Sequence, residues 1–408
     1  MGLATQVDYQ GRMWTMRITR FETFLCTYTF PEEKCWWGGR WSYDLKGVRY
    51  NAIILRVHTD EGITGLGEAN PWGDCPALEA MIHRLEHRFV GRDPFVVEKL
   101  TTQSADEQVN RALAAIDVAL WDIIGKATET PVYRLLARDG DVQPKGIRTY
   151  ASGGVGYTWH DRPEQVVDEV LRHKADGFTA FKMRIGSAWG LAGDTLKRFS
   201  QLLRQVRSAM GDEMDLMLDA NARFRTVGEA IEVVHILDDL GARWFEDPVN
   251  HSGEDGPELI NQLRASASKV AVSGGETYHS LEQHQRFVEG RAFDIVHVDS
   301  TWMGLTGAYR LARMYHQMGR PCIPHSWTNA IAHAANAHLV AAIPNRVMLE
   351  TQAIDNPMLT DIVDHPIPVD KGFIDVPERP GLGIELDEEA LRRYPFTENG
   401  IFVPWPSG

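Results

Sequence analysis

Short apolar runs recur along the second part of the chain, and this repeat limits the possible folds more than any other feature. Each run spans a few residues and is followed by a stretch with helical spacing, and successive runs are separated by about 23 to 37 residues. The runs lie at residues 146–151, 180–183, 216–218, 244–245, 270–272, 295–298, 322–324 and 347–349. Short, nearly continuous apolar strands are typical of a parallel sheet buried on both faces. Eight such units predict a (β/α)8 barrel of the TIM type.

An open, doubly wound α/β sheet is the structural alternative. That fold leads us to expect a glycine-rich phosphate-binding turn after the first strand. The sequence Gly153-Gly154-Val155-Gly156 resembles such a turn only weakly. The eightfold repeat therefore favours the barrel.

The pattern before residue 146 is different. Residues 16–29 and 50–58 alternate as strands do, and helical spacing follows over residues 76–90 and 106–136, with Pro131 restarting a helix. This arrangement predicts an α+β capping domain. We expect the capping domain at residues 1–145, including a loose leader of the first 12 or so residues, the barrel at 146–372, and a C-terminal segment, 373–408, that packs back on the capping domain.

Charge and composition exclude several classes of function. The formal net charge of -14 leaves no basic stripe for nucleic acid, and no apolar run is long enough to span a membrane. The N-terminus lacks an apolar signal region, and the four cysteines form no CxxC pair. We therefore expect a cytoplasmic protein with reduced thiols and no nucleic-acid or membrane partner. Further copies of the chain, in a homo-oligomer, are the macromolecular partner that we expect.

Polar residues follow the apolar runs, one group after another. They are Lys182, Arg184, Asp219, Asn221, Glu246, Glu276, Asp299, His325 and Glu350. The carboxyl ends of the strands of a parallel barrel share one face, where active sites are built. A single carboxylate at such a position is commonly a helix N-cap, but a succession of them predicts a site.

Asp219, Glu246 and Glu276 end three successive units. Three converging carboxylates repel each other unless a cation lies among them, and hard oxygen ligands favour Mg²⁺. A magnesium ion held in this way can take a substrate carboxylate as a further ligand. It then stabilises the enediolate that forms when the proton α to that carboxylate leaves.

His325 is the candidate base for this proton abstraction. Asp299, on the preceding strand, is placed to accept a hydrogen bond from His325 and to fix its tautomer. The alternative for His325 is a core histidine satisfied by backbone groups. Lys182 and Arg184 alternate on one strand and therefore point to the same side. They suit either an ion pair with the barrel carboxylates or the binding and protonation of an anionic intermediate.

Several motifs resemble a known family. The stretch from Arg111 to Lys126, the sequence Leu218-Asp-Ala-Asn221, the sequence Trp244-Phe-Glu-Asp-Pro248 and Gly274-Gly-Glu276 resemble the signatures of the mandelate racemase and muconate-lactonising group of the enolase superfamily. The resemblance implies a capping domain over a barrel. It places Asp219, Glu246 and Glu276 at the Mg²⁺ ligands, Asp299 and His325 at the dyad, and Glu350 at the carboxyl that hydrogen-bonds the carboxylate of the substrate.

The second strand departs from the family pattern. Racemases of this group carry Lys-x-Lys, whereas this chain has Lys182-Met-Arg184. A guanidinium is effectively always protonated and is a poor base. The departure favours dehydration of an aldonate or aldarate to a 2-keto-3-deoxy acid, begun by His325. The alternatives are a racemase, epimerase or lactone cycloisomerase that uses the same enediolate, and a non-catalytic barrel that binds sugar acids.

Aromatic and polar residues near the predicted barrel mouth are candidates for substrate binding. Trp36, Trp37 and Arg40 lie in a loop predicted to close over the substrate, and plain packing of the small domain is the alternative. Asn221 and Trp327 follow the third and seventh strands. We expect Asn221 to contact the substrate, and Trp327 either to stack on the substrate or to fill the barrel mouth.

Overall fold

The computed structural model describes residues 16–30, 49–138, 140–154, 163–185 and 196–397. The N-terminal part has an antiparallel sheet in the order β1-β2-β3, followed by helices. The elements are β1 (Ile18–Thr29), β2 (Arg49–Thr59), β3 (Thr64–Ala69), α1 (Cys75–Glu86), a 3-10 turn (Pro94–Val96), α2 (Val97–Leu100), α3 (Glu107–Ala127) and α4 (Val132–Ala137). A new helix begins directly after Pro131, which is the N-cap residue of α4 and has an extended conformation.

Helix α3 is the centre of the N-terminal part. Asp106 caps its first turn by accepting a hydrogen bond from the amide of Val109, and most of its residues are buried. The chain approaches β3 so closely that a Cβ at Gly67 would lie 2.0 Å from the carbonyl oxygen of Ala115. Asp122 on the same helix accepts the backbone amide of Leu66. Glycine is therefore needed where β3 lies against the backbone of α3.

The remaining long elements form the barrel. Its strands are β4 (Ile147–Gly153), β5 (Ala180–Arg184), β6 (Asp215–Asp219), β7 (Trp244–Glu246), β8 (Ala271–Gly274), β9 (Ile295–Val298), β10 (Cys322–Pro324) and β11 (Leu349–Gln352). Its helices are α5 (Gln165–Ala175), α6 (Leu196–Met210), α7 (Val227–Asp239), α8 (Gly256–Ser266), α9 (Leu281–Glu289), α10 (Ser300–Gln317) and α11 (Ala330–Ala342).

The barrel strands pair in parallel from β4 through β10, and β11 pairs with β4. A parallel bridge between Cys322 and Arg346 connects β10 to the residues before β11. The interior below the strand ends is filled by buried side chains that include Tyr150, Met217 and Trp244. Every apolar run in the sequence corresponds to one of these strands, which confirms the predicted barrel and its capping unit.

The N-terminal helix α3 packs against α10 of the barrel. Gly304 interrupts α10 with a φ of 67°, and the second half of the helix begins immediately after it. Asp117 of α3 accepts the backbone amide of Thr306 at 2.9 Å. A carboxylate from the N-terminal part thus caps a barrel helix, which joins the two parts of the chain.

The C-terminal residues contact both parts of the molecule. After a 3-10 turn (Pro357–Leu359), β12 (Phe373–Ile374) pairs with β4, and a short helix α12 (Glu388–Leu391) follows. The amide of Leu382 donates to Asp122, and the amide of Thr27 donates to the carbonyl of Tyr394. The segment therefore begins against the barrel and ends against β1. The division at residues 145 and 372 stays a prediction.

None of the helices in the described residues is both long enough and apolar enough to cross a membrane.

Candidate active site

The predicted polar residues gather at the carboxyl ends of the barrel strands. The group consists of Lys182, Arg184, Asp219, Glu246, Glu276, Asp299, His325 and Glu350, and each is between 0 and 9% exposed. Asp219 and Glu246 are the last residues of β6 and β7, and they are direct neighbours in the sheet register. The parallel pairing of short strands is the cause, because it stacks successive strand ends at one face.

Lys182 is the cation at the centre of this group. Its Nζ lies 2.9 Å from Oε2 of Glu246, 3.0 Å from Oε1 of Glu350 and 3.8 Å from Oδ2 of Asp219. Burial disfavours the ammonium, but Glu246 and Glu350 raise the pKa of Lys182 well above its ordinary value. The side chain therefore forms the ion pair with barrel carboxylates that was one of its two predicted roles.

His325 and Asp299 form the predicted pair. Nδ1 of His325 lies 2.7 Å from Oδ2 of Asp299. The other oxygen of Asp299 accepts the amide of Thr301 at 2.8 Å and so caps α10. With Nδ1 held in this way, Nε2 is the ring nitrogen that can exchange a proton with a substrate.

Nε2 of His325 faces carboxylates on both sides. It lies 3.5 Å from Oε2 of Glu276 and 3.6 Å from Oε2 of Glu350. Although burial opposes the charged ring, Glu276 and Glu350 raise the pKa of His325 to about 10. Glu350 itself is fixed by the backbone amide of Ser326, which donates to its Oε2 at 2.8 Å.

The three carboxylates expected to bind Mg²⁺ differ in their electrostatics. Although burial opposes it, His297 and Lys182 lower the pKa of Glu246. Burial and Glu246 raise the pKa of Asp219 to about 6, although Lys182 opposes this shift. Burial, Glu246 and Asp247 raise the pKa of Glu276 well above its ordinary value. Carboxylates with raised pKa values in a buried cluster are stabilised as anions by a divalent cation.

Two oxygen atoms in this cluster are available as ligands. Within the described ranges, Oε1 of Glu246 and Oε2 of Glu276 are buried and accept no hydrogen bond. Oxygen donors of this kind fit Mg²⁺. In the same ranges no three His, Cys, Asp or Glu side chains converge closely enough to hold an ion as they stand.

The other predicted residues fall into two groups. Asn221 and Trp327 are 6% and 3% exposed, and the charge of Arg184 partly opposes the rise that burial causes in the pKa of Asp219. The carbonyl of Trp327 accepts a hydrogen bond from the Tyr50 hydroxyl of the N-terminal part. Trp36, Trp37 and Arg40 lie outside the described residues, and their predicted contact with substrate stays a prediction.

Some residues of the site were not predicted. His297 is fully buried, and its Nε2 lies 3.4 Å from Oε2 of Glu246. Residues two positions apart on a strand point to the same side, so the spacing between His297 and Asp299 was a usable signal. Asn336 of α11 donates to Asp299 at 3.3 Å, and no pattern in the sequence indicated that contact.

Comparison with protein families agrees with this architecture. Residues 165–390 match the family described as enolase C-terminal domain-like. Residues 48–137 match the N-terminal domain of mandelate racemase and muconate lactonizing enzyme. The capped barrel with its strand-end carboxylates thus defines an enzyme of the enolase superfamily. The chain belongs to the mandelate racemase and muconate lactonizing enzyme family.

Named relatives include both dehydratases and isomerases. The chain is 27% identical to arabinonate dehydratase of Saccharolobus solfataricus, over 84% of this chain and 90% of that protein. It is 30% identical to D-galactarolactone cycloisomerase of Agrobacterium fabrum, with the same coverage. The crystal structure of 3,6-anhydro-D-galactonate cycloisomerase from Zobellia galactanivorans covers 93% of this chain and 99% of its own at a TM-score of 0.78 and 26% identity.

Proposed function

We propose that the protein dehydrates a sugar acid, an aldonate or aldarate, to a 2-keto-3-deoxy acid, with His325 as the base. The observation that carries the proposal is the 2.7 Å contact between Nδ1 of His325 and Asp299, which leaves Nε2 facing the carboxylate cluster. Dehydratase names among the relatives support a lyase, such as arabinonate dehydratase. A cytoplasmic location and a homo-oligomer stay predictions.

Asp219, Glu246 and Glu276 would hold Mg²⁺. The ion supplies positive charge that offsets the charge developing on the substrate carboxylate during proton loss. The cluster repels a further anion without such a cation, because Lys182 is already paired with two glutamates. The requirement for the metal follows from this shortage of positive charge.

The protein residues then move the proton. Glu276 raises the pKa of His325, and a cation bound to that carboxylate would offset its charge and favour the neutral ring. Nε2 of the neutral ring then takes the α-proton, and Asp299 stabilises the imidazolium through Nδ1. The protonated ring, or another acid of the pocket, assists departure of the β-hydroxyl as water. Glu350, held by the Ser326 amide, is placed for a hydrogen bond to the substrate carboxylate.

The second strand favours one base over two. Lys182 is held in carboxylate ion pairs, and Arg184 carries a guanidinium that rarely loses its proton. Removal of a proton from the face opposite His325 therefore lacks a suitable group on β5. A reaction started by a single histidine is the better fit.

Lactone cycloisomerisation is the second candidate. It is favoured by the 30% identity to D-galactarolactone cycloisomerase. The same proton abstraction begins that reaction, so the site geometry suits both. The products distinguish them, because the dehydration releases water and forms a keto acid from an open-chain acid.

The test is a screen of aldonic acids, aldaric acids and their lactones with purified protein and Mg²⁺ in deuterated water. We expect keto-acid formation from at least one open-chain acid, and loss of activity with EDTA. His325→Asn should abolish turnover, whereas His235→Asn, at an exposed position of α7, should leave it unchanged. Turnover of lactones alone supports the cycloisomerase. If the unaltered protein binds a sugar acid but converts none, the result supports a non-catalytic barrel.

A further inference from the structure

Glu68 is a buried carboxylate that lies outside the group of strand-end residues. It lies near the end of β3 in the N-terminal part and is 1% exposed. Its Oε1 accepts the backbone amide of Asn329 at 3.0 Å and the side-chain amide of Asn329 at 2.8 Å. Its Oε2 accepts the backbone amide of Ala332 at 3.0 Å. All three donors belong to the start of barrel helix α11.

This arrangement replaces a local N-cap. The first amides of a helix lack partners within the helix, and a side chain at the N-cap position usually accepts one of them. Asn329 occupies that position, but its side chain is used elsewhere: its oxygen accepts from Asn356 at 3.0 Å, and its amide donates to the carbonyl of Asn51. Glu68 accepts the Ala332 amide instead. Burial raises the pKa of Glu68 to about 7, while these hydrogen bonds favour its anion, which suits the positive end of the helix dipole.

Helix α11 in turn holds residues of the candidate active site. The side-chain oxygen of Asn336 accepts the amide of Ser300 at 3.0 Å, and its amide nitrogen donates to Oδ1 of Asp299. His333, one turn earlier, lies 2.9 Å from the hydroxyl of Ser326. Ser326 is the residue whose amide fixes Glu350. A change in the position of α11 therefore moves contacts to both Asp299 and Ser326.

We propose that Glu68 is a positioning residue for the reaction, acting through α11 on Asp299 and Ser326. The inference rests on the proposed role of His325 and Asp299 as the base and its partner. Glu68 itself belongs to the N-terminal part, so the orientation of the dyad depends on docking of that part against the barrel. Displacement of a catalytic group by about 1 Å can lower a rate by roughly 100-fold.

The decisive variant is Glu68→Gln, which keeps the size of the side chain but presents an amide group to at least one of its donors. Its control is Asp238→Asn. Asp238 accepts the backbone amides of Ser268, Lys269 and Val270, so it also binds backbone donors, but it does so before β8 at the opposite end of the barrel. Both substitutions weaken hydrogen bonds to a carboxylate, but only Glu68→Gln changes hydrogen bonds to the residues of α11.

We expect Glu68→Gln to lower kcat by roughly 10- to 100-fold with KM changed less than about threefold. Asp238→Asn should lower Tm by an amount comparable to the decrease in Glu68→Gln, and it should leave kcat unchanged. Amide hydrogen exchange should become faster at Ser300 to Met303 in Glu68→Gln only. Glu68→Asp, which retains the charge, should recover part of kcat, and it replaces Glu68→Gln if that variant does not fold.

Equal kcat values in Glu68→Gln and Asp238→Asn would overturn the proposal, and so would unchanged exchange at Ser300 to Met303. If the unaltered protein converts no acid in the screen, the proposed function fails. The exchange measurement then decides the positioning inference alone, since it needs no turnover. Faster exchange at Ser300 to Met303 in the Glu68 variant alone supports the link from Glu68 to the start of α10. Unchanged exchange at these amides refutes that link.

Discussion

Oδ2 of Asp299 lies 2.7 Å from Nδ1 of His325, while Oδ1 of the same carboxylate caps helix α10. The Asp299 side chain therefore orients the imidazole ring of His325 and also caps the helix that follows Asp299. The imidazole can rotate little without breaking a contact to a residue that is itself fixed by Thr301 and Asn336. This relationship makes the charge and the position of Asp299 separable by mutation.

Asp299→Asn should lower kcat by roughly 100- to 10,000-fold, because an amide keeps an oxygen near the ring but loses the charge that stabilises the imidazolium. KM should change little. Steady-state kinetics and α-proton exchange in deuterated water measure the effect. Asp294→Asn is the control: Asp294 precedes the same strand and pairs with Arg264 at the other end of the barrel. A comparable kcat for the two variants would contradict the assigned role of Asp299.

Lys182→Met should destabilise the protein by about 3–5 kcal/mol, because it leaves Glu246 and Glu350 buried without their cation. Mg²⁺ should restore part of this loss, and its stabilising effect should be larger in the variant than in the unaltered protein. Urea unfolding with EDTA and with Mg²⁺ measures both quantities. An equal effect of Mg²⁺ in the two proteins would argue against metal binding beside Lys182.

His338 predicts a pH dependence of stability. Its Nδ1 accepts the amide of Tyr133 at 3.1 Å and its Nε2 lies 3.1 Å from the carbonyl of Leu382, a pattern that requires the neutral ring. Burial lowers the pKa of His338 to about 4. As the pH falls from 6.5 toward 4, the unfolded chain takes up a proton that the folded protein does not, so stability is lost.

The stability advantage of the unaltered protein over His338→Asn should therefore shrink by about 3 kcal/mol between pH 7 and pH 4. Urea unfolding at a series of pH values measures this difference. His235→Asn, at an exposed position of α7, is the matched substitution for comparison. A constant gap for His338→Asn would show that the folded and unfolded protein take up this proton over the same pH range, so the pKa of His338 would not be lowered.

Gly67→Ala should destabilise the protein by about 1–3 kcal/mol or more, because the added Cβ would lie 2.0 Å from the carbonyl oxygen of Ala115 and would push β3 away from α3. Gly228→Ala is the matched substitution. Gly228 lies in α7, and its added Cβ would approach only Thr226, at 3.8 Å. This control should stabilise the protein by up to about 1 kcal/mol. Thermal unfolding of both variants measures the two changes in stability. Stabilisation by both substitutions would contradict the close approach of β3 and α3.

The barrel could be predicted from the sequence because each strand is a short apolar run that is buried on both faces. The polar group after each run was also visible, since strand ends in a parallel barrel share a face. The pairing of Lys182 with Glu246 and Glu350 was foreseen only as one of two options. The partner of Lys182 depends on the distances between side chains of different strands, and the amino-acid sequence does not give these distances.

The contacts made across the two parts of the molecule could not be predicted. Glu68 and Asn329 are 261 positions apart in the sequence. Neither residue has a sequence context that indicates a contact with the other. The break of α10 at Gly304 depends on Asp117 of another helix. These hydrogen bonds arise from tertiary packing, which overrides local preference.

The bond from the amide of Thr27 to the carbonyl of Tyr394 has a consequence for the order of folding. Strand β1 leaves the ribosome early, yet one of its partners is among the last of the described residues to be synthesised. The β1-β2-β3 sheet pairs strands that are neighbours in the sequence, whereas the contact between Thr27 and Tyr394 joins distant residues and can close only late in translation. Until then the edge of β1 at Cys26 and Thr27 is open to pairing with another chain.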